Sequence, residues 1–340
     1  MGRPARIIAM TDSSSPAFPT LRIAILGAGG IGCYYGARLQ AGGHRVQFIA
    51  RGAHLAALRT NGLRLSHPDF DFHGPVEALS LEAWIQRYVP NDLDAVIVCA
   101  KATATRDLAL ALRGWFERTG QDTAVISLQN GVDNEPQLAE VLGDGPVIGG
   151  LAVRIGGHIL GPGQVEATGL AQVMLGAWPH TGSPSDRRFG ERLPRLVEAF
   201  NRAGIPTRQV DDIRQELWRK LVINNGVNPL SALTRLDTRS LSHHPRFGPM
   251  VRQLMGEAAR AAAADGVSLS DADAQEMFEL IRNFDAIKTS MLVDLEKGRP
   301  LEVEAIGGAV LARSQRLGVA APYTECVHAL LIHQLGLDAP

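Results

Sequence analysis

The sequence predicts an α/β chain in two parts: a parallel sheet with covering helices, then an all-helical segment. Three observations predict it. From Leu21 short β-branched runs alternate with longer amphipathic stretches, the pattern of βαβ units. A glycine-rich turn joins the first run to the stretch that follows it. From Asp212 onward no convincing strand occurs and helical periodicity dominates.

Taken in order, Arg22–Leu26 reads as a strand, Ile31–Ala41 as a helix ended by Gly42-Gly43, and Arg45–Ala50 as a second strand. Ala95–Ala100 is the most apolar strand and leads into a helix over Ala104–Glu117. Thr123–Leu128 is another strand, broken by the turn pair Asn130-Gly131. Val147–Ile155 and Gln172–Leu175 read as two further strands around the turn Gly161-Pro162-Gly163. Beyond Arg208 the stretches Met250–Ala264, Asp271–Glu296 and Glu302–Leu317 carry apolar residues at helical spacing. The division falls near Ile205–Asp212, which gives a sheet domain over 21–208 and a helical domain over 209–340. Residues 1–20 are expected to be a disordered leader or start-site extension. Ile7–Met10 is too short for a signal-peptide core, and Arg6 stands where a myristoylation motif needs Ser or Thr.

Composition narrows the function. The 340 residues are 45% hydrophobic and 20% charged, which excludes a disordered chain and suffices for two cores. A net charge of −1 argues against nucleic acid as the main partner, since neutralising phosphates needs a basic excess. No apolar run approaches the roughly 18–20 residues that span a bilayer. Cys33, Cys99 and Cys326 form no CxxC pair, so neither a zinc site nor a disulfide framework is indicated, and a reducing, cytoplasmic setting fits. His67, His73, His158 and the pair His243-His244 lack metal-ligand spacing, and no metal is expected. A homodimer is left open.

Gly27-Ala28-Gly29-Gly30-Ile31-Gly32 is GxGxxG, placed between a strand and a helix. In that context the first glycine permits the tight turn and the second lets a pyrophosphate approach the backbone. The third allows close helix–strand packing, and the helix N-terminus faces the anion. A Rossmann-type dinucleotide-binding domain follows. An NAD site usually carries Asp or Glu at the end of the second strand; this strand ends in Arg51, and no Asp or Glu occurs between Arg22 and Asp69. A guanidinium binds a 2′-phosphate that a carboxylate would repel, so NADP(H) is the expected cofactor. The plainer alternative is an Arg51 that only snorkels at a loop edge. Lys101 and Asn130 end two strands where ligands of open α/β sheets sit, although a solvated lysine and a turn asparagine would look the same.

In the helical half, Lys220, Asn224 and Asn228 stand at i, i+4 and i+8 of an otherwise apolar helix. They stay within roughly 80° on one side. A lysine and two amides buried there without partners would be costly, which suggests a ligand-facing row. Pro229 is expected to break or kink the helix just after Asn228. Ser290 and Glu302 form a second polar set, with Glu302 readable either as a functional carboxylate or as an acid favoured at a helix N-terminus.

These residues resemble the ketopantoate reductase (2-dehydropantoate 2-reductase) family. The resemblance rests on ILGAGGIG, Lys101 after an apolar strand, the QNG turn and GPGxV at 161–165. It rests also on ELWRKLVINNGVNPLSAL at 216–233 and SMLVDLEKGRPLEVEAI at 290–306, and it covers Leu21 to about His333. It implies an active site in the cleft between a Rossmann domain and an all-helical domain. There NADPH would reduce 2-dehydropantoate to pantoate, a step of pantothenate and coenzyme A biosynthesis. It further implies Lys220 as general acid and Glu302 as the carboxylate sharing the site. Asn130, Asn224, Asn228 and Ser290 would bind substrate. The glycine loop (Gly27, Ala28, Gly29, Gly30, Ile31, Gly32), Arg51, Lys101, Asn130 and Glu302 would contact NADP. Glu166 departs from the basic or imidazole residue many relatives carry in the GPGxV hairpin. Two rivals remain: a reductase or dehydrogenase of a bulkier 2-oxo or 2-hydroxy acid, its pocket shaped by Arg235–Ser240, and a dinucleotide-binding sensor without turnover.

Overall fold

The computed structural model describes residues 18–118, 123–283 and 285–336. Most of the expected leader therefore lies outside the described residues. The chain opens with β1 (Arg22–Leu26), α1 (Gly30–Ala41), β2 (Arg45–Ile49) and α2 (Gly52–Asn61). Three short strands follow, β3 (Leu63–Ser66), β4 (Phe72–Gly74) and β5 (Glu77–Leu79), then α3 (Leu81–Arg87). Next come β6 (Ala95–Val98), α4 (Thr105–Phe116), β7 (Ala124–Ser127) and α5 (Asn134–Leu142). The sheet-bearing half is completed by β8 (Val147–Val153), β9 (Gly156–Gly161), β10 (Gln164–Thr168), β11 (Gln172–Ala177), α6 (Pro184–Phe189), α7 (Leu193–Arg202) and β12 (Thr207–Gln209).

The main sheet has eight strands in the order β12-β11-β8-β7-β6-β1-β2-β5, parallel except where β11 runs against β8. β1, β6 and β7 are buried along most or all of their length, as the near-continuous apolar runs of a sheet covered on both faces require. Alternate residues feed two cores. Ile23, Ile25, Ile97 and Ile126 face α1 and α7. Ala24, Leu26, Val96, Val98 and Val125 face α3, α4 and α5, and that core runs on without a break into the helical half through Leu217, Trp218 and Leu221. The chain goes from β1 to β2 on one side and returns to β6 on the other, so the crevice at the carboxyl ends of β1 and β6 is the topological switch point.

The GPG turn does not link the two strands expected around it. Val147–Val153 pairs with Gln172–Ala177 within the main sheet, and the turn closes a separate hairpin, β9–β10. That hairpin joins β3 and β4 in a four-stranded sheet of order β4-β3-β10-β9. β10 buries alternate residues only, which is the signature of a one-sided sheet rather than of a central strand.

After the last strand the described chain is helical throughout. α8 (Ile213–Thr234) is capped by Asp212, whose Oδ1 accepts from the amides of Arg214 and Gln215 at 3.0 and 3.2 Å. α9 (Thr238–His243), α10 (Phe247–Ala261), α11 (Asp271–Arg282), α12 (Ser290–Glu296), a π-helical turn over Glu304–Gly308, α13 (Ala309–Leu317) and α14 (Pro322–Gln334) complete the chain. The continuous helix expected over Asp271–Glu296 is two helices, the second started by Thr289, whose hydroxyl accepts from Leu292 N at 3.2 Å. Nor does Pro229 end α8, which continues to Thr234. The proline lacks the N–H that would bond the Asn225 carbonyl, yet packing on α10, α12 and α14 holds the helix together there. The Asn225 amide adds tethers to Leu254 O at 3.0 Å and Thr324 Oγ1 at 3.1 Å.

Candidate active site

The glycine loop leaves β1 at the switch point. Gly27 has φ +96°, and a Cβ there would strike the backbone of Cys99 and Ala100 after β6. Gly32 abuts the Gly27 carbonyl, so helix and strand approach as only glycine allows. Gly29 caps α1, and the space where its side chain would stand is open. The first amides of α1, at Gly30, Ile31 and Gly32, have no partner within the helix and face this space, a ready anion site. Ala28 is buried and its amide donates to Ile49 O at 2.9 Å, tying the loop to β2. Gly30, an unconstrained position of the motif, is closed off by the Gly156-Gly157 segment of β9: a Cβ on either Gly30 or Gly157 would run into the other's backbone.

Arg51 follows β2 and precedes α2, exposed, and among the described residues its guanidinium has no partner. Strand spacing puts it about 14 Å along the sheet end from Asn130, which follows β7. A dinucleotide lying across the crevice fits between them: tight turn, open face above Gly29, helix N-terminus, and a free cation at one end.

At the Asn130 end the two halves of the chain meet. Lys220, on α8, donates to Asn130 Oδ1 at 2.8 Å and to the Ala152 carbonyl of β8 at 2.6 Å. Asn130 Nδ2 donates to Glu302 Oε2 at 3.1 Å, and Glu302 Oε1 accepts from Ala102 N at 3.3 Å. Because the carboxylate takes the amide's N–H, the amide oxygen must face the lysine, which fixes the orientation of Asn130. Lys101 sits at the rim, 2.6 Å from Asp294 Oδ2 and 3.8 Å from Glu302 Oε2. Burial pushes the Lys220 ammonium down to about 8, and the negative charges of Glu302 and Glu135 restrain the fall. At neutral pH the group is still charged but gives up its proton far more readily than a solvated lysine.

Further along α8, Asn228 is buried with Nδ2 3.5 Å from Ser290 Oγ, the first residue of α12. Asn224 lies one turn from Lys220 and from Asn228, half-buried, and makes no hydrogen bond among the described residues. The structure therefore brings Lys101, Asn130, Lys220 and Glu302 into one bonded set. It extends that set along α8 by Asn224, Asn228 and Ser290, and sets Arg51 and the glycine loop across the crevice.

Sequence reading missed the residues that hold this set. Gln129 Nε2 donates to Thr105 Oγ1 at 2.9 Å, Thr105 Oγ1 to Asn134 Oδ1 at 2.8 Å, and Asn134 Nδ2 to Asn130 O at 2.7 Å. The signal was a cluster of amides directly after an apolar strand. Asp294, the partner of Lys101, was also missed. It stands one helical turn beyond Ser290, an i, i+4 relation that the sequence does contain.

Comparison with known proteins bears on this geometry. Residues 23–180 match the family model "Ketopantoate reductase PanE/ApbA", and residues 212–334 match its C-terminal companion. The chain is 32% identical over 314 residues to a 2-dehydropantoate 2-reductase of Nostoc sp., covering 92% of this chain and 94% of that one. It is 31% identical to the enzyme of that name from Archaeoglobus fulgidus, over 88% of this chain and 92% of that one. Among solved structures, 2-dehydropantoate 2-reductase from Methylococcus capsulatus superposes with a TM-score of 0.80 at 31% identity, covering 94% and 99% of the two chains. A D-mandelate dehydrogenase complex with NADH and anilino(oxo)acetate shares the fold at a TM-score of 0.80 and 23% identity, covering 92% and 97%.

Proposed function

The chain belongs to the ketopantoate reductase family, and from that premise we propose how its own residues reduce 2-dehydropantoate to pantoate. It is a nicotinamide-dependent oxidoreductase. The observation that carries the residue assignment is the bonded set Lys220–Asn130–Glu302 at the mouth of the glycine-loop crevice. The bound dinucleotide supplies the hydride. Lys220 has three N–H bonds, two of them held by Asn130 and Ala152, and the third is free for the oxygen of the substrate ketone. There the ammonium stabilises negative charge as it develops and gives its proton to the alkoxide, a role suited to an acid near neutrality. Glu302 fixes the Asn130 amide and, through it, the direction of the lysine. Asn224, Asn228 and Ser290 offer amide and hydroxyl donors along α8 and α12 for the carboxylate and remaining hydroxyl of a 2-oxo acid, fixing its orientation.

NADPH rather than NADH is the dinucleotide this reading favours, supported by the unpaired Arg51 at the end of β2 and the absence of any carboxylate from Arg22 to Pro68. Residues 21–208 would then carry the cofactor and 209–340 the substrate-facing helices. Free thiols at Cys33, Cys99 and Cys326 fit a reducing cytoplasm, and no helix among the described residues is long and apolar enough to cross a membrane. A homodimer is tested by light scattering, where a monomeric mass rejects it.

The decisive experiment follows oxidation of NADPH and of NADH with 2-dehydropantoate and with a panel of other 2-oxo acids. Fastest turnover with 2-dehydropantoate and NADPH supports the reading. Preference for a bulkier acid redirects the substrate, and tight NADPH binding without reduction of any acid rejects catalysis.

A further inference from the structure

We propose that Glu135 is a positioning residue for this reaction: a carboxyl sealed behind Lys220 that keeps its proton while the enzyme works, so that no buried anion offsets the lysine's charge from behind. The inference rests on Lys220 acting as the proton donor.

Glu135 lies in the first turn of α5, with none of its surface exposed. Neither of its carboxyl oxygens reaches a hydrogen-bond partner among the described residues. α5 packs against β8 and α4. Gly150 of β8 presents its amide toward this carboxyl, and two residues on, the Ala152 carbonyl of the same strand accepts from Lys220. The carboxyl thus stands against the same strand whose Ala152 carbonyl holds the ammonium. Among the charged groups nearby, Asp133 on its own turn is held by Arg313 of α13 at 2.5 Å. Arg106 of α4 is turned to the surface by Glu140 at 3.4 Å. β7 contributes only the Ser127 hydroxyl. From α8 comes Lys220, with Glu302 beyond it.

A carboxylate in such a place has lost its water and gained no donor of good geometry, so it stays neutral. Burial pushes it up to about 8, with Ser127 and Gly150 offsetting part of the rise. Ionised, it would make Lys220 hold its proton more tightly. Protonated, it leaves the lysine free to give that proton away. Above neutrality the two groups titrate as a coupled pair.

Glu135→Gln keeps the shape and removes the ionisation. The expected result is a basic limb of kcat/KM displaced downward by roughly half a pH unit to one unit. The pH midpoint for acylation of Lys220 by acetic anhydride, read by peptide mass spectrometry, should move down with it. The thermal midpoint supplies an independent mark. A carboxyl whose folded value is raised from 4.5 to about 8 destabilises the fold progressively across that interval, so the variant should gain in Tm over the wild type as pH climbs through it. A limb and an acylation midpoint both unmoved overturn the proposal, and so does a Tm gap that fails to widen between pH 4.5 and about 8, which would mean a carboxyl already ionised. Lys220→Ala is assayed in parallel: undiminished turnover there overturns the donor role itself, whereas its loss with an unmoved limb rejects Glu135 alone.

Discussion

At the Lys220 end of the cleft the polar side chains hold one another, whereas at the Arg51 end the guanidinium stands alone. Lys220, Asn130 and Glu302 are each bonded to a neighbour, and the neighbours come from β8, α8 and the segments that follow β6 and β7. Among the described residues Arg51 has no partner for its charge. The difference reflects two tasks. A group that moves a proton must be aimed before the substrate arrives, and aiming requires fixed partners. A group that grips a phosphate already has geometry in its planar fork, and a resident carboxylate would compete with the ligand.

Substitutions can break this contrast. The largest effect is expected at the interlocked end, where Lys220→Ala should lower kcat by roughly 10²–10⁴ with NADPH affinity, read by fluorescence titration, little changed. At the open end Arg51→Ala should raise KM for NADPH roughly 10–100-fold while leaving NADH kinetics in place, the loss of a charge-assisted contact. Equal losses with both cofactors would remove Arg51 from the 2′-phosphate. pH sharpens the same contrast: kcat/KM should decline above about 8 as the Lys220 ammonium loses its proton. That decline approaches about tenfold per unit. NADPH affinity, which does not depend on that ammonium, should be flat over that range. The smallest effect belongs to the rim. Lys101 and Asp294 lie 2.6 Å apart, yet the lysine is half exposed, so Asp294→Asn should cost only about 0.2–1 kcal/mol in chemical denaturation.

How much of this could be read from the chain depended on whether a residue's surroundings leave a mark nearby in sequence. β1, α1, β2, β6, α4 and β7 were legible because a strand buried on both faces must be apolar throughout and its helix must be one-sided. The row Lys220, Asn224, Asn228 was legible for a similar reason, three polar groups repeated at the period of an apolar helix. β4, β5 and β12 have three residues each, too few to display a period, and the β9–β10 hairpin is masked by its glycines. Of the expected break or kink at Pro229, the break does not occur, because local propensity was outweighed by helices far along the chain. Glu135 and the Gln129–Thr105–Asn134 chain escaped notice altogether, since the partners of a buried polar group are set by topology rather than by spacing.

The meeting of Gly30 with Gly157 carries a practical consequence for anyone wishing to change cofactor preference by transplanting a nucleotide loop. The usual fingerprint demands glycine at Gly27, Gly29 and Gly32 only, so donor loops will often bring a larger residue into the fourth place. Here that residue would collide with main chain from the small sheet, which cannot yield as a side chain can. A graft into this scaffold must therefore import glycine at that place too, or be accompanied by a redesigned β9, and loops selected on the three-glycine pattern alone should yield insoluble protein.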